Sequence, residues 1–170
     1  MLAGVPMIVE GFTEADAMKA RPGNCFIVDI DGTIANITHR LHHIKKSPKD
    51  WDAFFAGCKD DVPISHMLDL VNAMALHRYI IFMSGRPERT RTATVEWLRK
   101  HGFKYDLTET VLYMRSDGDR RDDSIVKLEL LKKAQMDGWK PVMAFDDRDR
   151  VVKMWRENGI PCAQVAPGNF

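Results

Sequence analysis

Short apolar runs recur along this 170-residue chain, and segments of helical periodicity that close on glycine lie between them. Cys25–Val28, Tyr79–Met83, Val111–Met114, Val142–Phe145 and Cys162–Val165 read as strands. Met67, Leu70, Val71 and Met74 recur at helical spacing, and Glu88–His101, Asp122–Met136 and Asp149–Asn158 read as helices ending at Gly102, Gly138 and Gly159. Glycine takes the left-handed cap conformation at little cost. Such alternation predicts βαβ units, an α/β fold with a five-stranded parallel sheet and helices on both faces.

One stretch breaks the rhythm. About 30 residues, 36–65, separate the first strand from its helix, and insertions of that length usually form lids or binding elements. With Trp51, Phe54 and Phe55 inside it, this one is expected to fold as a small helical cap. Residues 1–22 form a lead-in with a short helix expected at Thr13–Ala20, and 23–170 form one domain. Met1–Val9 lacks the basic start of a signal peptide. A 45% apolar, 29% charged composition excludes a disordered chain. The longest central apolar run, Tyr79–Met83, is far short of the ~20 residues that span a bilayer, so no membrane partner is expected. A net charge of +1 excludes a strongly basic nucleic-acid coat. Cys25, Cys58 and Cys162 form no C-x-x-C pair, which fits a reducing, cytoplasmic setting.

In an open parallel sheet, ligands sit beyond the carboxyl ends of the strands. The first run is followed by Asp29-Ile30-Asp31-Gly32-Thr33, the second by Ser84-Gly85-Arg86, the third by Arg115 and the fourth by Asp146-Asp147-Arg148. Alternate residues of an extended segment point to one face, so Asp29 and Asp31 can share a crevice. Gly32 lets the chain turn just beyond them. One carboxylate can be a nucleophile and the other a general acid and base. Four carboxylates in one crevice repel unless a cation sits among them, and Mg²⁺, which takes oxygen ligands, suits that place.

Each piece also has a plainer reading. Asp-x-Asp-Gly occurs in surface turns, acids suit a helix start, and Ser84 ahead of Pro87 can cap a helix, although backbone N–H groups at such a start also bind anions. A helical lysine such as Lys127 is ordinarily exposed; it gains weight because phosphoryl transfer needs a cation against developing charge. Convergence of four strand ends on one crevice favours a site.

Asp29-Ile30-Asp31-Gly32-Thr33, Ser84-Gly85-Arg86, Lys127 and Asp146-Asp147 resemble, in order, the four motifs of the haloacid dehalogenase (HAD) superfamily of phosphohydrolases. Arg40, the run from Arg115 through Arg121 and Asp123 to Lys127, and Phe145-Asp146-Asp147-Arg148 with Val152 and Trp155 narrow the match. Over about residues 23–170 the chain is similar to the phosphatase half of bacteriophage-type polynucleotide kinase/3′-phosphatases. The resemblance implies a HAD-like Rossmannoid fold with a cap after the first strand. It implies that Asp29 attacks phosphorus to form an aspartyl-phosphate, and that Asp31 protonates the leaving alcohol and then activates water. Mg²⁺ would be held by the Asp29 carboxylate, the Asp31 main-chain carbonyl and Asp146, with Asp147 close by. Ser84 and Lys127 would grip the phosphoryl oxygens. Gly85, Arg86, Arg40, Arg115, Arg121 and Asp123 fall at positions for substrate contact or for holding the site. No G-x-x-x-x-G-K-[S/T] occurs in these residues, so no 5′-kinase activity is expected of them.

Three functions follow. One is removal of 3′-phosphates from DNA or RNA ends. A second is hydrolysis of free nucleoside monophosphates, favoured by the near-zero charge and the missing kinase motif. A third is a non-hydrolytic phosphate-binding regulatory module, which would not need Asp31. Arg86, Arg89, Arg91, Arg115, Arg120 and Arg121 could engage further phosphates or be solvated charges. Trp51, Phe54 and Phe55 could stack a base or pack the cap. His39, His42 and His43, near Lys45 and Lys46, read as a basic loop or a metal cluster. An oligomer is compatible with the sequence.

Overall fold

A computed structural model describes residues 23–103 and 111–168; the helix expected at Thr13–Ala20 lies outside them. In chain order the elements are β1 (Asn24–Val28), β2 (Ala35–Asn36), α1 (His42–Lys45), α2 (Trp51–Ala56), β3 (Val62–Pro63), α3 (Ser65–Ala75), β4 (Tyr79–Pro87), α4 (Arg91–Lys100), β5 (Leu112–Arg115), α5 (Asp123–Met136), β6 (Lys140–Arg148), α6 (Asp149–Glu157) and β7 (Cys162–Gly168). Single 3₁₀ turns occupy Thr38–Arg40, Gly57–Asp60 and Glu88–Thr90.

The apolar β1 is the central strand. It pairs in parallel with β4 through Ile27 and Ile81 and with β6 through Ile27 and Ala144. The sheet order is β5-β4-β1-β6-β7, every pairing parallel. From β1 the chain steps outward to β4 and β5, then returns past β1 to β6 and steps outward the other way to β7. Right-handed crossovers put α3 and α4 on one face and α5 and α6 on the other. The change of direction opens a crevice between the carboxyl ends of β1 and β6, where such sheets bind ligands. Trp97, Trp139 and Trp155 are buried in the one main core with Phe82 and Ile27. Among the described residues no helix is long and apolar enough to cross a membrane.

Two strands run further than their apolar stretches suggest. β4 continues through Ser84-Gly85-Arg86 and β6 through Asp146-Asp147-Arg148, each with a register break near its end. Ser84 to Arg86 therefore do not start a helix: α4 begins at Arg91 behind a 3₁₀ turn. Backbone pairing with neighbouring strands carries β structure past the last hydrophobic side chain. In α3 the buried stripe is Met67, Leu68 and Val71, whereas Leu70 is 43% exposed. At 3.6 residues per turn Leu70 stands off the stripe centred between those three.

The insertion after β1 folds as a cap. An antiparallel ribbon, Ala35 opposite Pro63 and Asn36 opposite Val62, pins its two ends together. Its own small core joins Ile37, Ile44 and Phe54, with Leu41 and Phe55 against them. Asp50 starts α2 by accepting a hydrogen bond from the Ala53 N–H at 3.0 Å.

Candidate active site

Asp29 continues β1 by one residue, its N–H donating to the Phe145 carbonyl at 3.0 Å. The chain then turns through Gly32, whose φ of +87° favours glycine. A Cβ at Gly32 would lie 2.2 Å from Asp147 Oδ2, so the bare backbone also admits that carboxylate. Asp29, Asp146 and Asp147 are all buried and offer oxygens within 4.8 Å of one another.

Lys127 projects from α5 into this group and is 1% exposed, unlike an ordinary helical lysine. Its Nζ lies 2.7 Å from Asp29 Oδ1, 2.8 Å from Asp146 Oδ2 and 3.6 Å from Asp123 Oδ2. Asp146 also accepts from the Trp155 indole N–H at 3.2 Å, and Asp29 from the Thr33 hydroxyl at 3.4 Å. Burial pushes the Asp29 carboxyl well above the usual range; Lys127 opposes this, and Asp146 and Asp147 add to it. Burial and the neighbouring Asp146 raise Asp147 to about 7. Burial disfavours the Lys127 charge, but Asp146, Asp29 and Asp123 outweigh it and raise that group too. Asp123 is also paired with Arg115, so Asp29, Asp146 and Asp147 cluster about the single Lys127 ammonium, and an all-oxygen donor set of this kind suits a hard divalent cation such as Mg²⁺. Among the described residues His39, His42 and His43 form no such group. His39 Nε2 sits 2.9 Å from Asp61, while the His42 and His43 rings lie against each other at 3.9 Å.

Asp31 is engaged elsewhere. Its Oδ1 accepts from Arg40 Nη2 at 2.7 Å and from Arg86 Nε at 2.8 Å. Burial works to raise its carboxyl, but the Arg86 and Arg40 guanidinium groups prevail and hold it below the usual value. Behind it stands Asp61, a residue without a recognisable motif. Asp61 accepts from Arg40 Nε and Nη2 and from Arg86 Nη2, each at 2.7 Å. The Trp97 indole donates to its carbonyl at 2.8 Å, and Arg86 Nη1 donates to Thr94 Oγ1 at 3.2 Å. Two guanidinium groups and two carboxylates thus neutralise one another where cap meets sheet. The only sequence trace of Asp61 is an acid pair with Asp60, because its partners lie 21 and 25 positions away.

Ser84 is fully buried, its Oγ accepting the Arg86 N–H at 3.2 Å. Gly85 lets the strand pass Asp123: a Cβ there would meet Asp123 Oδ1 at 2.3 Å. Arg115 ties this corner together, donating to the Gly85 carbonyl at 2.8 Å, the Asp123 carboxylate at 3.0 Å and the Arg121 carbonyl at 2.8 Å. The Arg121 guanidinium itself is held at the rim by Asp119 and Glu129. Asp29, Asp31, Gly85, Arg115, Arg121, Asp123, Lys127 and Asp147 share the lining of one cleft of about 1060 Å³ with cap residues including Trp51 and Lys49. Arg40, Arg86, Ser84 and Asp146 stand behind that lining, buried.

Comparison with known proteins gives the family and the fold. A viral protein of Autographa californica nuclear polyhedrosis virus, named for a bifunctional polynucleotide kinase/RNA ligase, is 29% identical over 136 residues, covering 79% of this chain and 18% of that protein. Pnkp1, solved in a Pnkp1/Rnl/Hen1 complex, superposes with a TM-score of 0.72 at 27% identity, over 95% of this chain and 52% of the matched chain. The chain thus spans about half of that solved relative and under a fifth of the viral one. A class C acid phosphatase from Bacillus anthracis shares the fold, with a TM-score of 0.57 at 14% identity over 88% of this chain and 68% of its own. Residues 23–170 match the polynucleotide kinase PNKP phosphatase domain, and the chain belongs to that HAD-type phosphatase family.

Proposed function

We propose that this domain hydrolyses phosphomonoesters through a phosphorylated Asp29, acting on 3′-phosphorylated nucleic-acid ends or nucleotides. The observation that carries this reading is the Lys127 ammonium bridging Asp29 and Asp146 at 2.7 and 2.8 Å, with Asp147 in the same carboxylate group. A nucleophile, a fixed positive charge and an acidic cation site then coincide at the sheet's switch point. The carboxylates of Asp29, Asp146 and Asp147, with the Asp31 main-chain carbonyl, would hold Mg²⁺. Bound there, Mg²⁺ supplies Lewis-acid neutralisation of phosphoryl charge.

In the first step a carboxylate oxygen of Asp29 attacks phosphorus, the P–O bond to the alcohol breaks, and Asp31 gives that oxygen its proton. In the second, Asp31 takes a proton from a water whose oxygen attacks the acyl phosphate, releasing inorganic phosphate and restoring Asp29. Asp31 rests ionised between Arg40 and Arg86. An arriving phosphate dianion in the cleft repels that charge, which favours the protonated acid needed first. Lys127 meets charge developing on the phosphoryl oxygens without reorganising, and Arg115 keeps Asp123 and the Gly85 corner in place.

The nucleic-acid substrate is supported by membership of a polynucleotide kinase phosphatase family and by likeness to a Pnkp1 solved in an RNA repair complex. The test is phosphate release with Mg²⁺ from a 3′-phosphorylated oligonucleotide, a 3′-mononucleotide and 5′-mononucleotides at two salt concentrations. A preference for the oligonucleotide that fades with salt is expected. Equal rates on 5′-mononucleotides would reject the 3′-end reading, and no release from any of them would reject the phosphatase. Asp29→Asn should abolish turnover, and Asp31→Asn should stall it with the fold intact.

A further inference from the structure

We infer that the cap edge bearing Trp51 is a nucleobase-docking subsite, with Lys45 and Lys49 beside it to meet the adjoining sugar–phosphate chain. This rests on the reading of the cleft as a phosphatase site for nucleotide or nucleic-acid phosphates.

Trp51 lines the same cleft as Asp29 and remains 41% exposed, while its neighbour Phe54 is 4% exposed. The indole is nonetheless fixed in orientation. Phe54 meets it edge-on, with ring centroids 5.8 Å apart, and Phe55 lies nearly parallel at 5.9 Å. Phe54 in turn supports the Arg40 guanidinium at 4.2 Å, and Arg40 reaches Asp31 at 2.7 Å. A continuous set of contacts therefore sets the exposed ring relative to the reacting carboxylates. The Lys49 ammonium lies over the indole, 5.5 Å from a ring centroid, a loose cover that an incoming base can displace.

Charge supports the same occupant. Arg89, Arg115, Arg121 and Lys127 line the cleft, and each is paired with an acid. Lys45 and Lys49 on the cap rim, and Arg120 on the opposite rim, line it too, and among the described residues none of the three has a carboxylate partner. A rigid aromatic face flanked by unneutralised cations suits a base carried on a phosphodiester chain.

The test compares kcat/KM for a 3′-phosphorylated oligonucleotide bearing its terminal base with that for the same oligonucleotide abasic at the terminal residue. Wild type, Trp51→Ala, Trp51→Phe and Lys49→Ala are measured. Because the ratio is read within one protein, partial loss of folded enzyme cancels. Wild type should prefer the base-bearing end, and Trp51→Ala should lower that preference roughly 5- to 150-fold, the stacking of one base expressed as a rate ratio. Trp51→Phe should keep most of it, and Lys49→Ala should lower kcat/KM on both oligonucleotides and flatten its salt dependence. An unchanged ratio in Trp51→Ala, or no preference in wild type, overturns the subsite while leaving the phosphatase reading intact. Failure of wild type to hydrolyse either oligonucleotide overturns both.

Discussion

Asp61→Asn removes one of the two negative charges of a neutral quartet in which Arg40, Arg86 and Asp61 are sealed from water and Asp31 alone reaches the cleft. The Asp61 and Arg86 side chains are 0% exposed and Arg40 is 1% exposed. Three contacts of 2.7 Å from the two arginines converge on the carboxylate. Asparagine keeps the shape but presents one acceptor and one donor to groups that only donate, and Asp31 alone is left to balance two buried guanidinium charges. Breaking a buried pair by removing one partner costs about 3–5 kcal/mol, a large share of the ~5–15 kcal/mol that holds a domain folded. At ~2–4 °C per kcal/mol for a chain of this size, Tm should fall by about 6–20 °C. Urea denaturation of Asp61→Asn, Arg40→Met and the double variant would measure this. The double variant should lose less than the sum of the singles, since removing both partners strands no charge. A single variant within ~1 kcal/mol of wild type would refute the reasoning.

Gly32→Ala combines left-handed strain of about 1–2 kcal/mol with displacement of Asp147, so activity should fall far more than stability; an active variant with an unchanged Mg²⁺ requirement would argue against it. Gly85→Ala should push Asp123 off Arg115, seen as lost phosphate release in a protein whose circular dichroism is unchanged; wild-type rates would refute the corner's role. Mg²⁺ at a hundred times its Kd should stabilise the chain by ~2.7 kcal/mol, visible as a rise in Tm, with Asp147→Asn shrinking the rise. No rise in wild type would mean that the three carboxylates are not a metal site. Because Asp31 is held below its ordinary 3.8, its stabilising contribution is complete above about pH 4 and is lost as pH falls through the lowered value. Urea midpoints of Asp31→Asn between pH 6 and 3 should therefore decline less steeply than those of wild type, and parallel curves would refute this.

The strands, their alternation with glycine-closed helices and the order of the acidic motifs were legible from local pattern, because a strand buried on both faces must be apolar along its length. Asp29 and Asp146–Asp147 could be placed at strand ends for the same reason. What pairs with what was not legible. Lys127 meets Asp29 across 98 positions, and whether a helical lysine is exposed or buried against carboxylates depends on which strands are neighbours. Asp61 carries no motif, because its role is the countercharge to two arginines that only the docking of cap on sheet brings together. Arg121 has the same side chain as Arg86, yet it turns outward to Asp119 and Glu129 while Arg86 is buried. Hydrophobic periodicity is a property of neighbours in sequence, and so the sequence alone determined the layers of this fold. Burial and charge pairing are properties of neighbours in space, and only the sheet order, with β1 set between β4 and β6, decided them.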